Sequence, residues 1–139
     1  MSHPYHHALS SVKKWGGEPE DYQAIHNWFD ETKAHFADFR HRAARHHSEG
    51  IFMAEQIFGK TITISTGRVV PVRFIGEQHV MEDCGWIPTL ADWLKNIQAQ
   101  PWMKRVGRQL SKELEQENFC ATASPSEEAL RSCETVGAG

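Results

Sequence analysis

The chain has 139 residues, 40% of them hydrophobic and 24% charged, and a net charge of −3 with its histidines neutral. That length suits one domain with a modest core of its own. No apolar run approaches the roughly 20 residues of a membrane span, and the slight acidity disfavours nucleic acid as a partner.

Residues 4–14 read as a short helix opened by Pro4, which suits a first helical turn, and closed at Trp15-Gly16-Gly17. Residues 20–48 carry the strongest helical signal: Pro19 and the acids Glu18, Glu20 and Asp21 stand at its start, and no glycine or proline interrupts it. Ile25, Phe29, Thr32, Phe36, Phe39 and Ala43 recur at spacings of three and four, which predicts one buried stripe. Gly50 marks a kink or break, and IFMAEQIF (51–58) continues as helix.

TITIST (61–66) and VVPVRFI (69–75) are rich in β-branched residues and flank a turn at Thr66-Gly67-Arg68, so they read as a hairpin, with Pro71 on an edge. EQHVMEDC (77–84) returns to helix and stops at Gly85. Thr89 and Asp92 then form a capping box for LADWLKNIQ. Residues 102–118 make a charged amphipathic helix. From Phe119 the Ala/Ser/Thr/Gly-rich segment has little to bury and reads as a mobile tail. The predicted architecture is α+β: a mainly helical bundle around one long helix, with an inserted two-stranded β-hairpin, one domain over 1–118 and a tail over 119–139.

Histidine is the outlier, with nine in the chain. His3, His6 and His7 open it; His41, His46 and His47 cluster in FRHRAARHH; His79 lies four residues from Asp83 in EQHVMEDC. If the second helix runs through FRHRAARHH, its apolar stripe arrives at His46 or His47, where a buried ring must find a partner. His46 shares a helix face with Glu49, His79 with Asp83, and His3 with His7. Each pair also fits a bland reading: a solvated face, a helical hydrogen bond, a frayed end. Together they predict a site built from facing helices, with His7, His46 or His47, and His79 with Asp83 as ligands of a divalent metal. Zinc is the first expectation, with Fe, Mn or Ni as alternatives.

Other chemistry lacks its cues. There is no GxxxxGK[ST], GxGxxG, GxSxG or HExxH. The cysteines Cys84, Cys120 and Cys133 form no CxxC pair, which makes a thiolate zinc site unexpected. With a polar N-terminus unlike a secretory signal, they place the chain in a reducing cytoplasm. Cys84 reads as a buried cysteine at a helix end rather than a nucleophile. Glu55, inside IFMAEQIFG, needs a cationic or ligand partner if buried, and is the predicted general base or a carboxylate supporting a metal ligand.

The blocks HPYHHALSSVKKWGG, EDYQAIHNWFDETKAHFADFRHRAARHHSEGIFMAEQIFG and IGEQHVMEDCGWIPTLADWL resemble a family of small prokaryotic and phage-associated proteins, the DUF6915-like group. The resemblance runs from residue 3 to about 103. It implies no reaction and no residue roles. Cys84-Gly85-Trp86 departs from the leucine-glycine-arginine of related sequences, which argues further against a catalytic Cys84.

Two functions compete. One is a metal-dependent hydrolase of an unknown small molecule, with Glu55 or Glu49 moving the proton. The other is a non-enzymatic, phage- or element-associated protein with structural histidines and a protein partner. A metal-binding stabiliser with a closed coordination shell is a third possibility.

Overall fold

The computed structural model describes residues 3–104, and contacts divide the chain into two compact units between Asn96 and Ile97. In the first unit, α1 (Pro4–Trp15) begins as predicted: Pro4 has its φ preset, and the His3 side chain accepts the Tyr5 backbone N–H at 3.2 Å. Gly16 ends it at φ 85°, a conformation that side chains resist. α2 (Pro19–Asp30) starts with Pro19 in its first turn, and Asp21 accepts the Glu18 N–H at 2.8 Å.

Asp21 also ties α2 to the hairpin, because its carboxylate takes the Ser65 N–H at 3.1 Å and the Ser65 hydroxyl at 2.8 Å. These bonds, the one at Glu18 foremost, hold its carboxyl below the usual range. A group with a depressed folded-state pKa stabilises the fold above its unfolded value and loses that contribution as pH falls through the folded one. Asp21→Ala should therefore lower the melting temperature at pH 7, and the gap to wild type should close below about pH 4. A gap of constant size from neutral to acid pH would show that the charge contributes nothing.

The predicted helix over 20–48 is broken twice. α2 stops at Asp30, and two short 3-10 helices, Glu31–Ala34 and Phe39–Ala44, precede α3 (Ser48–Phe58). Thr32 shows why: its hydroxyl donates to the His41 carbonyl at 3.2 Å and lies 2.9 Å from His41 Nδ1. In a continuous helix those residues would stand about 13 Å apart along the axis, so the chain has doubled back. Asp38 starts the second 3-10 helix by accepting the Arg40 N–H at 2.8 Å. Ile25 and Phe29 are buried as the stripe predicts, but Phe36 and Phe39 fall at the bend and are 46% and 62% exposed. The break precedes Gly50, which lies inside the first turn of α3.

β1 (Thr61–Thr63) and β2 (Val69–Pro71) form the predicted antiparallel hairpin, with Ile62 opposite Val70 and Gly67 turning at φ 86°. The second strand is shorter than predicted, because α4 (Val72–Cys84) begins at Val72 rather than 77. VVPVRFI resembles a strand in its β-branched content. α4 packs against α1, α2 and α3 and buries residues round much of its circumference, so no single apolar stripe marks it. Gly76 allows the close approach: a Cβ there would stand 3.1 Å from Phe29 and 3.2 Å from Ile51. α5 (Leu90–Leu94) has the predicted capping box of Thr89 and Asp92.

The core comprises Tyr22, Ile25 and Phe29 of α2, Ile51 and Ala54 of α3, Ile75 and Val80 of α4, and Ala8 of α1, with Ile64, Val70 and Val72 beneath the hairpin. In the second unit, α6 (Pro101–Lys104) is the described part of the helix predicted over 102–118. The rest of that helix and the tail after 118 lie outside the described residues. Among those described, no helix is long and apolar enough to cross a membrane. The fold is α+β, a helical bundle with a small hairpin.

Candidate metal centre

Three helices of the bundle, α1, α2 and α4, turn polar residues inward. On α1, His7 is buried beside Ala8 and Ser11. α2 ends at Asp30, one turn beyond His26, and α4 carries His79 and Asp83 at the same spacing. His46 sits in the turn before α3, held where the Trp93 indole N–H donates to its carbonyl at 2.8 Å. His7, His46 and His79 are 1%, 0% and 0% exposed, and the side chains of Asp30 and Asp83 are 4% and 3% exposed.

These five side chains converge. Asp83 Oδ2 lies 3.0 Å from His46 Nε2 and 3.4 Å from His79 Nε2, and Asp83 Oδ1 lies 3.3 Å from His7 Nε2. Asp30 Oδ1 is 3.5 Å from both His46 Nε2 and His79 Nε2, which are 3.1 Å from each other. Ligand atoms of His7, Asp30, His79 and Asp83 all fall within 4.8 Å of one another. An ion held at about 2.1 Å by its donors spaces neighbouring donors by about 3.0 Å in octahedral and 3.4 Å in tetrahedral geometry. The separations of 3.0–3.5 Å between these pairs leave room for such an ion.

Two of these contacts are also hydrogen bonds in geometry, His46 Nε2 with Asp83 Oδ2 and His46 Nε2 with His79 Nε2. His7 Nε2 and both oxygens of Asp30 are buried without a hydrogen-bond partner despite these neighbours. Buried polar atoms that approach without bonding are costly unless something between them accepts their lone pairs. The donor set of three imidazoles and two carboxylates fits a divalent first-row metal.

The electrostatics agree. Burial opposes ionisation of Asp30 and Asp83, but His46 and His79, joined by His7 at Asp83, outweigh it and hold both carboxyls well below the usual range. Burial keeps the His26 imidazole neutral, its pKa pushed down to about 2, with His79 and His7 adding to the effect. The protein's own cations are set further out. Arg42 Nη2 is 3.5 Å from Asp83 Oδ1, and Lys33 Nζ is 3.9 Å from Asp30 Oδ2.

The structure thus brings together His7, His46, His79 and Asp83 of the predicted ligands. It adds Asp30, which the sequence reading does not single out. The available signal was spacing: His26-x3-Asp30 repeats His79-x3-Asp83. His47 is placed elsewhere. It is the N-cap of α3, its Nδ1 accepting the Gly50 N–H at 2.9 Å and its Nε2 donating to the Ala44 carbonyl at 3.1 Å, so both nitrogens are occupied. His47→Ala should cost about 1 kcal/mol of stability, the scale of a lost cap, and leave metal binding alone. Loss of the ion in that variant would return His47 to the ligand set.

Three further expectations change. His3 caps α1 instead of pairing with His7 at a metal. Glu49 accepts the Leu90 N–H at 2.8 Å, tying α3 to α5 instead of joining His46. Glu55 is half-buried on α3, where Ala54 takes the core position, and its carboxylate has no hydrogen bond or ion pair to the cluster. Burial raises the Cys84 thiol, as expected of a cysteine at a helix end.

Fold and site together define a small helical domain with a buried His/Asp cluster able to hold a metal ion. The family described as Domain of unknown function (DUF6915) matches residues 2–103, and the chain belongs to it. No curated protein and no solved structure matches the chain.

Proposed function

We propose that His7, Asp30, His46, His79 and Asp83 bind one divalent first-row metal ion, which serves the hydrolysis of a small molecule. The observation that carries this reading is the set of buried, unbonded lone pairs at His7 Nε2 and Asp30. Two buried carboxylates also match the charge of a divalent ion. Zinc suits the imidazole donors, and five donors suit Fe, Mn or Ni equally well. When bound, such an ion lowers the pKa of a coordinated water toward about 7.

The chain's own part is to accept the proton and admit the substrate. Thr32 donates to the His41 carbonyl, so its oxygen accepts from His41 Nδ1–H, and His41 Nε2 keeps a buried lone pair with no partner. The His41 ring stands edge-on to that of His46, with centroids 5.5 Å apart, and we assign it as the proton acceptor in place of Glu55. Asp83 also walls a cavity of about 490 Å³ with Arg42, Trp86 and Trp93. Asp30 walls another of about 550 Å³ with Asn27, Trp28 and Lys33. Both have the size of small-molecule sites.

Elemental analysis of untagged protein should find close to one equivalent of Zn, Fe, Mn or Ni. Chromogenic carboxylic and phosphoric esters should be hydrolysed, with activity lost to a chelator and restored by metal. Protein that binds no ion on titration would eliminate the reading. One bound ion without hydrolysis would leave a structural metal. The non-enzymatic alternative draws on the exposed Phe36 and Phe39, an apolar pair that a protein partner could cover.

A further inference from the structure

Around the five donors lies a ring of polar groups whose hydrogen bonds can be given a direction without reference to any ion. Gln78, on α4 and 3% exposed, is the starting point. Its Nε2 lies 3.0 Å from the His7 carbonyl oxygen and 2.9 Å from Glu82 Oε1. Both are acceptors, so the amide nitrogen must face them and Oε1 must face Ser11 Oγ, 2.6 Å away. The His7 carbonyl oxygen also lies 3.1 Å from Ser11 Oγ, and since neither it nor Oε1 can donate, the single hydroxyl proton of Ser11 is taken up by these two acceptors. Ser11 Oγ can then only accept from His26 Nε2, at 2.8 Å.

His26 is fully buried with no carboxylate on either nitrogen, so it is neutral and its Nδ1 is bare. That atom lies 3.0 Å from His79 Nδ1, which must donate to it. His79 Nε2 is left with a lone pair, facing Asp30, His46 and Asp83. On the other branch, Glu82 Oε2 accepts from His7 Nδ1 at 2.6 Å, so in the neutral ring the lone pair falls on His7 Nε2 too. The reverse direction fails at one place: a His26 protonated on Nδ1 would need the Ser11 proton at Nε2, setting two acceptors against each other at 2.6 Å.

We propose that Gln78, Ser11 and His26 on one branch, and Glu82 on the other, are positioning residues that set the tautomers of two metal ligands. Whenever these rings are neutral, as metal ligands must be, the Nε2 lone pairs of His7 and His79 are thereby aimed into the cluster. A ligand in the opposite tautomer would present an N–H to the metal, and correcting it would strand a buried donor elsewhere in the ring. Outer partners of this kind typically govern about 10–100-fold in metal affinity. The proposal takes its purpose from the metal reading, but the tautomers belong to the ion-free chain and are measured there.

Long-range proton–nitrogen correlation spectra of ion-free, 15N-labelled protein should show Nδ1–H on His7 and His79 and Nε2–H on His26. Nε2–H in place of Nδ1–H on His79 would overturn the proposal without any mutation. Ser11→Ala removes the acceptor of His26 and keeps Glu82 as the acceptor of His7 Nδ1. It should populate Nε2–H in place of Nδ1–H on His79, keep Nδ1–H on His7, and weaken Zn²⁺ binding about 10–100-fold in competition with a chelating dye. Unchanged His79 tautomer and unchanged Zn²⁺ affinity in a folded Ser11→Ala protein would overturn the relay. If that variant does not fold, the wild-type spectrum still decides. The assigned tautomers in a chain that binds no ion would uphold the network and remove the metal reading alone.

Discussion

Asp83→Ala is expected to leave the protein unable to retain a metal ion. Asp83 is the most shared member of the cluster: one oxygen faces His46 and His79, the other His7 and Arg42. Its removal takes away a charged donor and half of the buried negative charge, and it leaves the half-buried Arg42 without its acid. The loss should exceed the roughly 10–100-fold typical of outer partners, with metal content falling below detection after buffer exchange. Asp83→Asn keeps the shape and removes the charge, so it should fall between. His79→Ala and His46→Ala should lose the ion as well, whereas His47→Ala should keep it. A full equivalent of metal in both Asp83→Ala and His79→Ala would sink the site.

Gly50→Ala should produce the largest loss of stability of any methyl addition among the described residues. A Cβ at this position would stand 1.8 Å from the Arg45 carbonyl oxygen and 2.6 Å from its carbon, both of them backbone. No side chain can swing aside, so the turn from Arg45 to His47 must move. Forced overpacking typically costs about 1–3 kcal/mol and occasionally more, and the upper end applies here, a drop in melting temperature of about 10 °C. The same turn carries His46, so metal affinity should fall with stability. An alanine variant that melts within a degree or two of wild type would show that the turn repositions at little cost.

The legible parts of this chain are those where the signal is local. Pro4 and Pro19 open their helices, Thr89 and Asp92 cap theirs, and Gly67 turns the hairpin, because each acts through its own backbone. The bend after Asp30 was not legible. It depends on Thr32 meeting His41, a contact between residues that a helical reading keeps apart, and no proline or glycine announces it. α4 was read partly as strand for a related reason, since a helix buried on several sides loses the periodic stripe that would identify it. The site followed the same rule. His79 and Asp83 could be paired from spacing alone, and His7 and His46 from the expectation that facing helices share a site. Asp30 could not, because its place in the cluster exists only once α2 stops where it does.

The wide separation of the donors along the chain has a consequence for the protein's lifetime. Positions 7, 30, 46, 79 and 83 lie on α1, at the end of α2, in the turn before α3, and on α4, segments with no covalent link of their own. A single ion would staple them together, adding about 4 kcal/mol at a free concentration a thousand times its dissociation constant. Chelation should therefore open the whole bundle to protease at once instead of loosening one corner. In a cell, the abundance of this protein would then rise and fall with the supply of the metal.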